Sequence, residues 1–143
     1  MSLFALSDTH LSLSTDKPMD IFGSRWQQHD KRISEAWTET VGDGDTVVIA
    51  GDISWAMSMD DALTDLAYLD RLPGRKLIGR GNHDYWWGTV NKMKKFFVEQ
   101  HGLSTLEFLY NNAFEVGEFI VCGSRGWWGG EGLCPSGVDY GKI

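Results

Sequence analysis

Cysteine is scarce in this 143-residue chain, which has only Cys122 and Cys134. Two residues at that spacing make no disulfide framework, zinc knuckle or C-x-x-C redox pair, so they read as free thiols of a reducing cytoplasm. Proline is also scarce, at three residues, and no low-complexity tract accompanies it, which argues against long disordered linkers. No apolar run approaches the ~18 residues of a membrane span, and residues 1–7 lack the basic start and apolar core of a signal peptide. Basic residues are the minority, 13 against 20 acidic, for a net charge of −7. That balance works against nonspecific nucleic-acid binding, which depends on clustered Lys and Arg. The one basic cluster, Lys92, Lys94 and Lys95, falls in a helical pattern and reads as a solvated face. The expectation is a single cytoplasmic domain over residues 1–143, with no membrane association.

The chain does contain short apolar runs that alternate with amphipathic ones. "LFAL" ends at Ser7-Asp8, and "TVVIAGD" carries β-branched residues without alternation, as a strand buried on both faces does. "KLIG" makes a third strand, and "LEFLYNN" and "FEVGEFIVCG" supply later ones, with Gly117 at a hairpin turn or bulge. Between them, Trp26, Ile33, Trp37 and Val41 recur at helical spacing. Ser58-x-x-Asp61 opens a second helix with a capping-box pattern, and Val90, Met93 and Phe97 mark a third that stops at Gly102. A β-α-β-α-β-α-β series predicts an α/β fold with a mostly parallel sheet and right-handed crossovers.

Ligand sites in such sheets lie beyond the carboxyl ends of the strands. Three polar clusters follow strand ends: Asp8-Thr9-His10, Gly51-Asp52 and Gly81-Asn82-His83-Asp84. They should converge. Carboxylate, imidazole and amide donors together suit divalent metals of intermediate softness, such as Mn, Fe, Zn, Co or Ni. Two such ions ~3.5–4 Å apart can clamp both oxygens of an in-line displacement at phosphorus.

"DTH", "GDISW" and "GNHD", in this order and each after an apolar strand, resemble the calcineurin-like metallophosphoesterase superfamily, with its D-x-H, G-D and G-N-H-D/E pattern. The resemblance covers residues 3–84. It implies an αββα sandwich and a hydrolase of phosphoric mono- or diesters that uses two divalent ions, Mn, Fe, Zn or Ni. Asp8 and His10 would bind the first ion, Asp52 would bridge both, and Asn82 would bind the second. A metal-bound hydroxide would attack phosphorus, with His83 hydrogen-bonding the phosphoryl oxygen or protonating the leaving group and Asp84 fixing the His83 tautomer. The family's later G-H-x-H histidines have no match between Asp84 and Ile143. The chain is therefore expected to be the first half to two-thirds of such a domain, an incomplete sandwich whose exposed sheet face could form a homo-oligomer. The rival expectation is a noncatalytic metal- or partner-binding remnant.

Other patterns are rejected. In "GRGNHD" the third position of a dinucleotide fingerprint is Asp84, a carboxylate where pyrophosphate would sit, and the stretch follows the third strand rather than the first. "GSRGWWGGEG" lacks the Gly-Lys-Ser/Thr ending of a P-loop, and Asp43-x-Asp45 lacks the other ligands of a calcium loop. Arg80 is a candidate for contacting substrate phosphate, and Trp86 and Trp127 for an apolar wall beside it. His29 reads as a satisfied, half-buried histidine of the first helix.

Overall fold

Four residues decide the centre of the sheet. Thr46–Ile49 is the second strand, β2, and its Val47 and Ile49 are fully or almost fully buried. The structure, a computed structural model, describes residues 1–125. β1 (Leu3–Leu6), β2, β3 (Arg75–Ile78) and β4 (Leu106–Phe108) form a parallel sheet in the order β1-β2-β3-β4. β5 (Asn112–Val116) and β6 (Phe119–Gly123) form a separate antiparallel hairpin. Its turn at Gly117 has φ 59°, where a β-carbon would be strained.

The helices are α1 (His29–Thr40), α2 (Met59–Asp70) and α3 (Val90–Met93), the last continuing as a wider π turn through Gln100. Trp26 falls in a short 3₁₀ turn ahead of α1 rather than in the helix, because Gln28 turns left-handed (φ 49°) between them. Ser58 caps α2 by accepting the Asp61 N–H at 3.2 Å, as its spacing predicts.

Register and the period of two set which residues share a face. Phe4, Val47 and Leu106 lie in one row across the sheet, and Leu6, Ile49, Ile78 and Phe108 in the next. All of them pack with Trp37 of α1, Leu66 and Leu69 of α2, and Met93 and Phe97 of the third helix in the main core. The opposite face buries Leu77 and Leu109 against Val116 of the hairpin. Helices thus cover one face, and the hairpin covers part of the other. β1 and β4 are the edges, and Leu3 of β1 is exposed. This is the mixed α/β architecture that the alternating pattern predicts. Among the described residues no helix is long and apolar enough to cross a membrane.

Candidate metal centre

The parallel ladder does not stop where the strands stop. Asp8 N donates to Gly51 O at 3.0 Å, His10 N to Asp52 O at 2.9 Å and Leu11 N to Ile53 O at 2.8 Å. The loops after β1 and β2 therefore run side by side, with Thr9 Oγ1 bonded to Ile53 O at 2.9 Å beneath them. Asp8, His10 and Asp52 all have left-handed backbones, with φ of 56°, 43° and 52°. Such residues cost of order 1–3 kcal/mol each and persist only where their surroundings over-determine them.

The three side chains meet at one point. One ligand atom from each of Asp8, His10 and Asp52 lies within 4.8 Å of the others. His10 Nε2 is 3.5 Å from Asp8 Oδ1 and 3.8 Å from Asp52 Oδ2. Those gaps exceed a hydrogen bond of ~2.7–3.2 Å but approach the ~3–3.5 Å between donors that share one ion at ~2.1 Å. Burial lowers the His10 pKa, against the pull of Asp52 and Asp8, and so favours the neutral ring. A neutral imidazole facing two carboxylates suits a divalent cation between them. The other ring nitrogen, Nδ1, is buried without a hydrogen-bond partner among the described residues. Ring contacts orient the imidazole instead: Trp55 stacks on it at 5.0 Å and Trp26 meets it edge-on at 6.0 Å.

The third loop packs on the second through two glycines. A Cβ on Gly81 would overlap Asp52, and one on Gly51 would overlap the Gly81 backbone. Asn82 is exposed, and with Asp8, Asp52, Arg80 and Ser124 it lines a cleft of about 280 Å³. His83 donates its backbone N–H to Asp52 Oδ1 at 2.9 Å, and its ring Nδ1 lies 2.9 Å from Asp52 Oδ2.

Two expectations need correction. Asp84, expected to fix the His83 tautomer, is buried beneath the loops with its oxygens turned to other donors; the carboxylate beside the His83 ring is Asp52. Asp84 Oδ2 accepts the N–H of Asp52 and of Gly81, both at 2.8 Å. Its Oδ1 accepts from Ile53 at 2.8 Å, Ser54 at 3.3 Å and Trp86 Nε1 at 3.0 Å. Burial pushes its pKa up to about 6, opposed by the N–H groups of Gly81, Ile53 and Ser54. Converging N–H donors from two tight turns need an acceptor, and Asp84 is the buried one. Trp86, expected as a substrate wall, is only 3% exposed and packs against Trp87 and Phe97 in the core. Trp127 lies outside the described residues.

The aromatic flank of the cluster is Trp55, whose ring lies 5.0 Å from both the His10 and the His83 rings. His29 is half-buried, with Nε2 3.0 Å from Thr9 O, so it steadies the first ligand loop rather than joining the cluster. Sequence reading passed over Asp65 and Ser54, which are buried and hydrogen-bonded to each other. The available signal was an aspartate in the apolar stripe Ala62, Asp65, Leu66, Leu69 of α2.

The sequence model of a family described as calcineurin-like phosphoesterase matches residues 1–139. Among curated proteins, the chain is 41% identical over 58 residues to the Gene 66 protein of Mycobacterium phage L5, which is 41% of this chain and 28% of that one. It is 45% identical over 56 residues to the Gene 66 protein of Mycobacterium phage D29, or 39% of this chain and 28% of that one. Among solved structures, a protein of unknown function from Aquifex aeolicus has a similar fold, with a TM-score of 0.52 at 21% identity over 84% of this chain and 58% of that one. The chain thus spans 28% of the length of these curated relatives and little over half of the structural one.

Proposed function

Because this chain belongs to the calcineurin-like phosphoesterase family, we propose that its three strand-end loops form the metal-dependent centre of a hydrolase acting on phosphoric mono- or diesters. The observation that carries this reading is the convergence of Asp8, His10 and Asp52 on one point, each held in a left-handed backbone. Asp8, His10 and Asp52 would hold the first ion, and Asp52 with Asn82 would reach a second. Mn, Fe, Zn or Ni at these donors would supply positive charge to the phosphoryl oxygens and an activated water.

The chain's own groups then do the following. Arg80 and Asn82 line the cleft beside the carboxylates and offer N–H donors to the phosphoryl group of the ester. His83, with a side chain 37% exposed, would pass a ring proton to the leaving oxygen. Trp55 packs against both imidazoles and keeps bulk water from that side. Asp84 keeps the second and third loops in register beneath the cluster.

The test is hydrolysis of p-nitrophenyl phosphate and bis-p-nitrophenyl phosphate with each of the four metals, beside Asp52→Asn. Metal-dependent turnover that disappears in Asp52→Asn is expected. A folded, metal-loaded chain that hydrolyses neither ester would support the second reading, a noncatalytic metal-binding domain. That reading is favoured by the size of the cluster among the described residues, which counts three His and Asp ligands.

A further inference from the structure

We propose that Asp65, a residue of α2 outside the metal cluster, is a positioning residue that holds the two principal ligand loops together and thereby sets cation affinity. The proposal rests on the metal-centre reading above. Asp65 is fully buried and lies in the helix stripe that packs on the sheet, with Ala62, Leu66 and Leu69. A carboxylate there is costly unless its oxygens are hydrogen-bonded. Both are: Oδ1 accepts the Leu13 N–H at 2.9 Å, and Oδ2 accepts the Ser54 hydroxyl at 2.5 Å. Ser54 Oγ in turn accepts the Ala56 N–H at 3.0 Å.

These partners are well placed. Leu13 lies three residues beyond His10, and Ser54 two beyond Asp52. Between them the loops are joined by the bonds from His10 N to Asp52 O, Leu11 N to Ile53 O and Trp55 N to Leu11 O. Asp65 bridges the far end of this ladder, just past the three left-handed ligand residues, from α2, a helix packed on the sheet. Without it, the ladder can open from that end, and Asp8, His10 and Asp52 can relax toward ordinary backbone conformations that no longer converge. Asp84 joins the second loop to the third, whereas Asp65 joins the first to the second.

The geometry separates positioning from charge. In Asp65→Asn, the side-chain oxygen can keep the Leu13 N–H and the amide can donate to Ser54 Oγ, reversing that bond and freeing the Ser54 hydroxyl proton, so both loops stay tied to α2 without the negative charge. Asp65→Leu has similar volume and keeps neither bond. The experiment is Mn²⁺ titration of the folded full chain followed by electron paramagnetic resonance, which counts free Mn²⁺ without any turnover.

Asp65→Asn is expected to bind within about threefold of the wild type, and Asp65→Leu to weaken binding by about 10–100-fold, as loss of an outer-shell partner does. Ser54→Ala, which removes one arm of the bridge, should weaken it in the same direction and serves if Asp65→Leu does not fold. A folded Asp65→Leu, or failing that Ser54→Ala, that binds as tightly as the wild type overturns the proposal. So does an Asp65→Asn as weak as Asp65→Leu, which would make Asp65 a field charge. A wild-type chain that binds no Mn²⁺ overturns the metal-centre reading as well, so the two failures are distinguishable.

Discussion

Replacing Gly81 with alanine tests whether the close approach of two loops creates the metal cluster. Gly81 does not have a left-handed backbone, so alanine is compatible with its conformation. What it lacks is space: a Cβ there would overlap Oδ1 and the backbone nitrogen of Asp52 and stand 2.8 Å from its Cγ. Non-bonded carbon contacts settle at ~3.5–4.0 Å, so the loops must part by ~1 Å or more. Hydrogen bonds from two buried N–H groups of the second loop cross that seam beside the overlap, from Asp52 N to Asp84 Oδ2 and from Ile53 N to Asp84 Oδ1, both 2.8 Å. Leaving two buried N–H groups unpaired costs ~1–3 kcal/mol each, or ~2–6 kcal/mol together. For a chain of this size a loss of that order lowers Tm by at least ~4 °C. Asp52 also moves away from Asp8 and His10, so Mn²⁺ affinity should fall by about 10-fold or more. The assay pairs thermal melts in chelator with a Mn²⁺ titration, alongside Gly44→Ala, whose Cβ would meet nothing within 4 Å. A Gly81→Ala chain that melts with the wild type and holds Mn²⁺ as tightly would refute the reasoning.

Other outcomes follow from the same geometry. Mn²⁺ at ~100 times its Kd should stabilise the fold by about 2.7 kcal/mol and raise Tm, with chelator reversing the gain; identical melts with and without metal would count against a site at Asp8, His10 and Asp52. Trp86→Ala should cost ~3–5 kcal/mol in urea melts and leave KM unchanged, because the ring is core and not cleft; a changed KM with an unchanged melt would return Trp86 to the substrate wall. Lys76 is fully buried, its Nζ donating to the carbonyls of Asp70 and Leu72 and to Thr105 Oγ1, and burial lowers its pKa from 10.5 to about 8. Between those values the unfolded chain binds more protons than the folded one, so this contribution to stability is fully present above pH 10.5 and is lost as pH falls through about 8. Relative to Lys76→Met, the wild type should therefore gain roughly 3 kcal/mol between neutral pH and pH 10.5; a pH-independent difference in denaturant melts would contradict it.

The parallel sheet and the position of its site were legible because both are local signals. "TVVI" is apolar on both faces, and each of "DTH", "GD" and "GNHD" directly follows a strand, so a parallel sheet brings them to one edge whatever the rest of the chain does. The partners of the buried groups were not legible. Asp84 meets the N–H groups of residues 52–54, some 30–32 positions away, and Asp65 meets Leu13 at a separation of 52. No periodicity reports a contact of that range. Trp86 and Trp55 look alike in sequence, yet one fills the core beside Phe97 and the other faces two histidines, because only packing decides which side of a loop turns inward. The sequence by itself therefore determined which donors stand at the sheet edge. Tertiary structure alone decided which carboxylates face the cluster and which lie behind it holding the loops, since that depends on where unpaired N–H groups converge once the loops are packed.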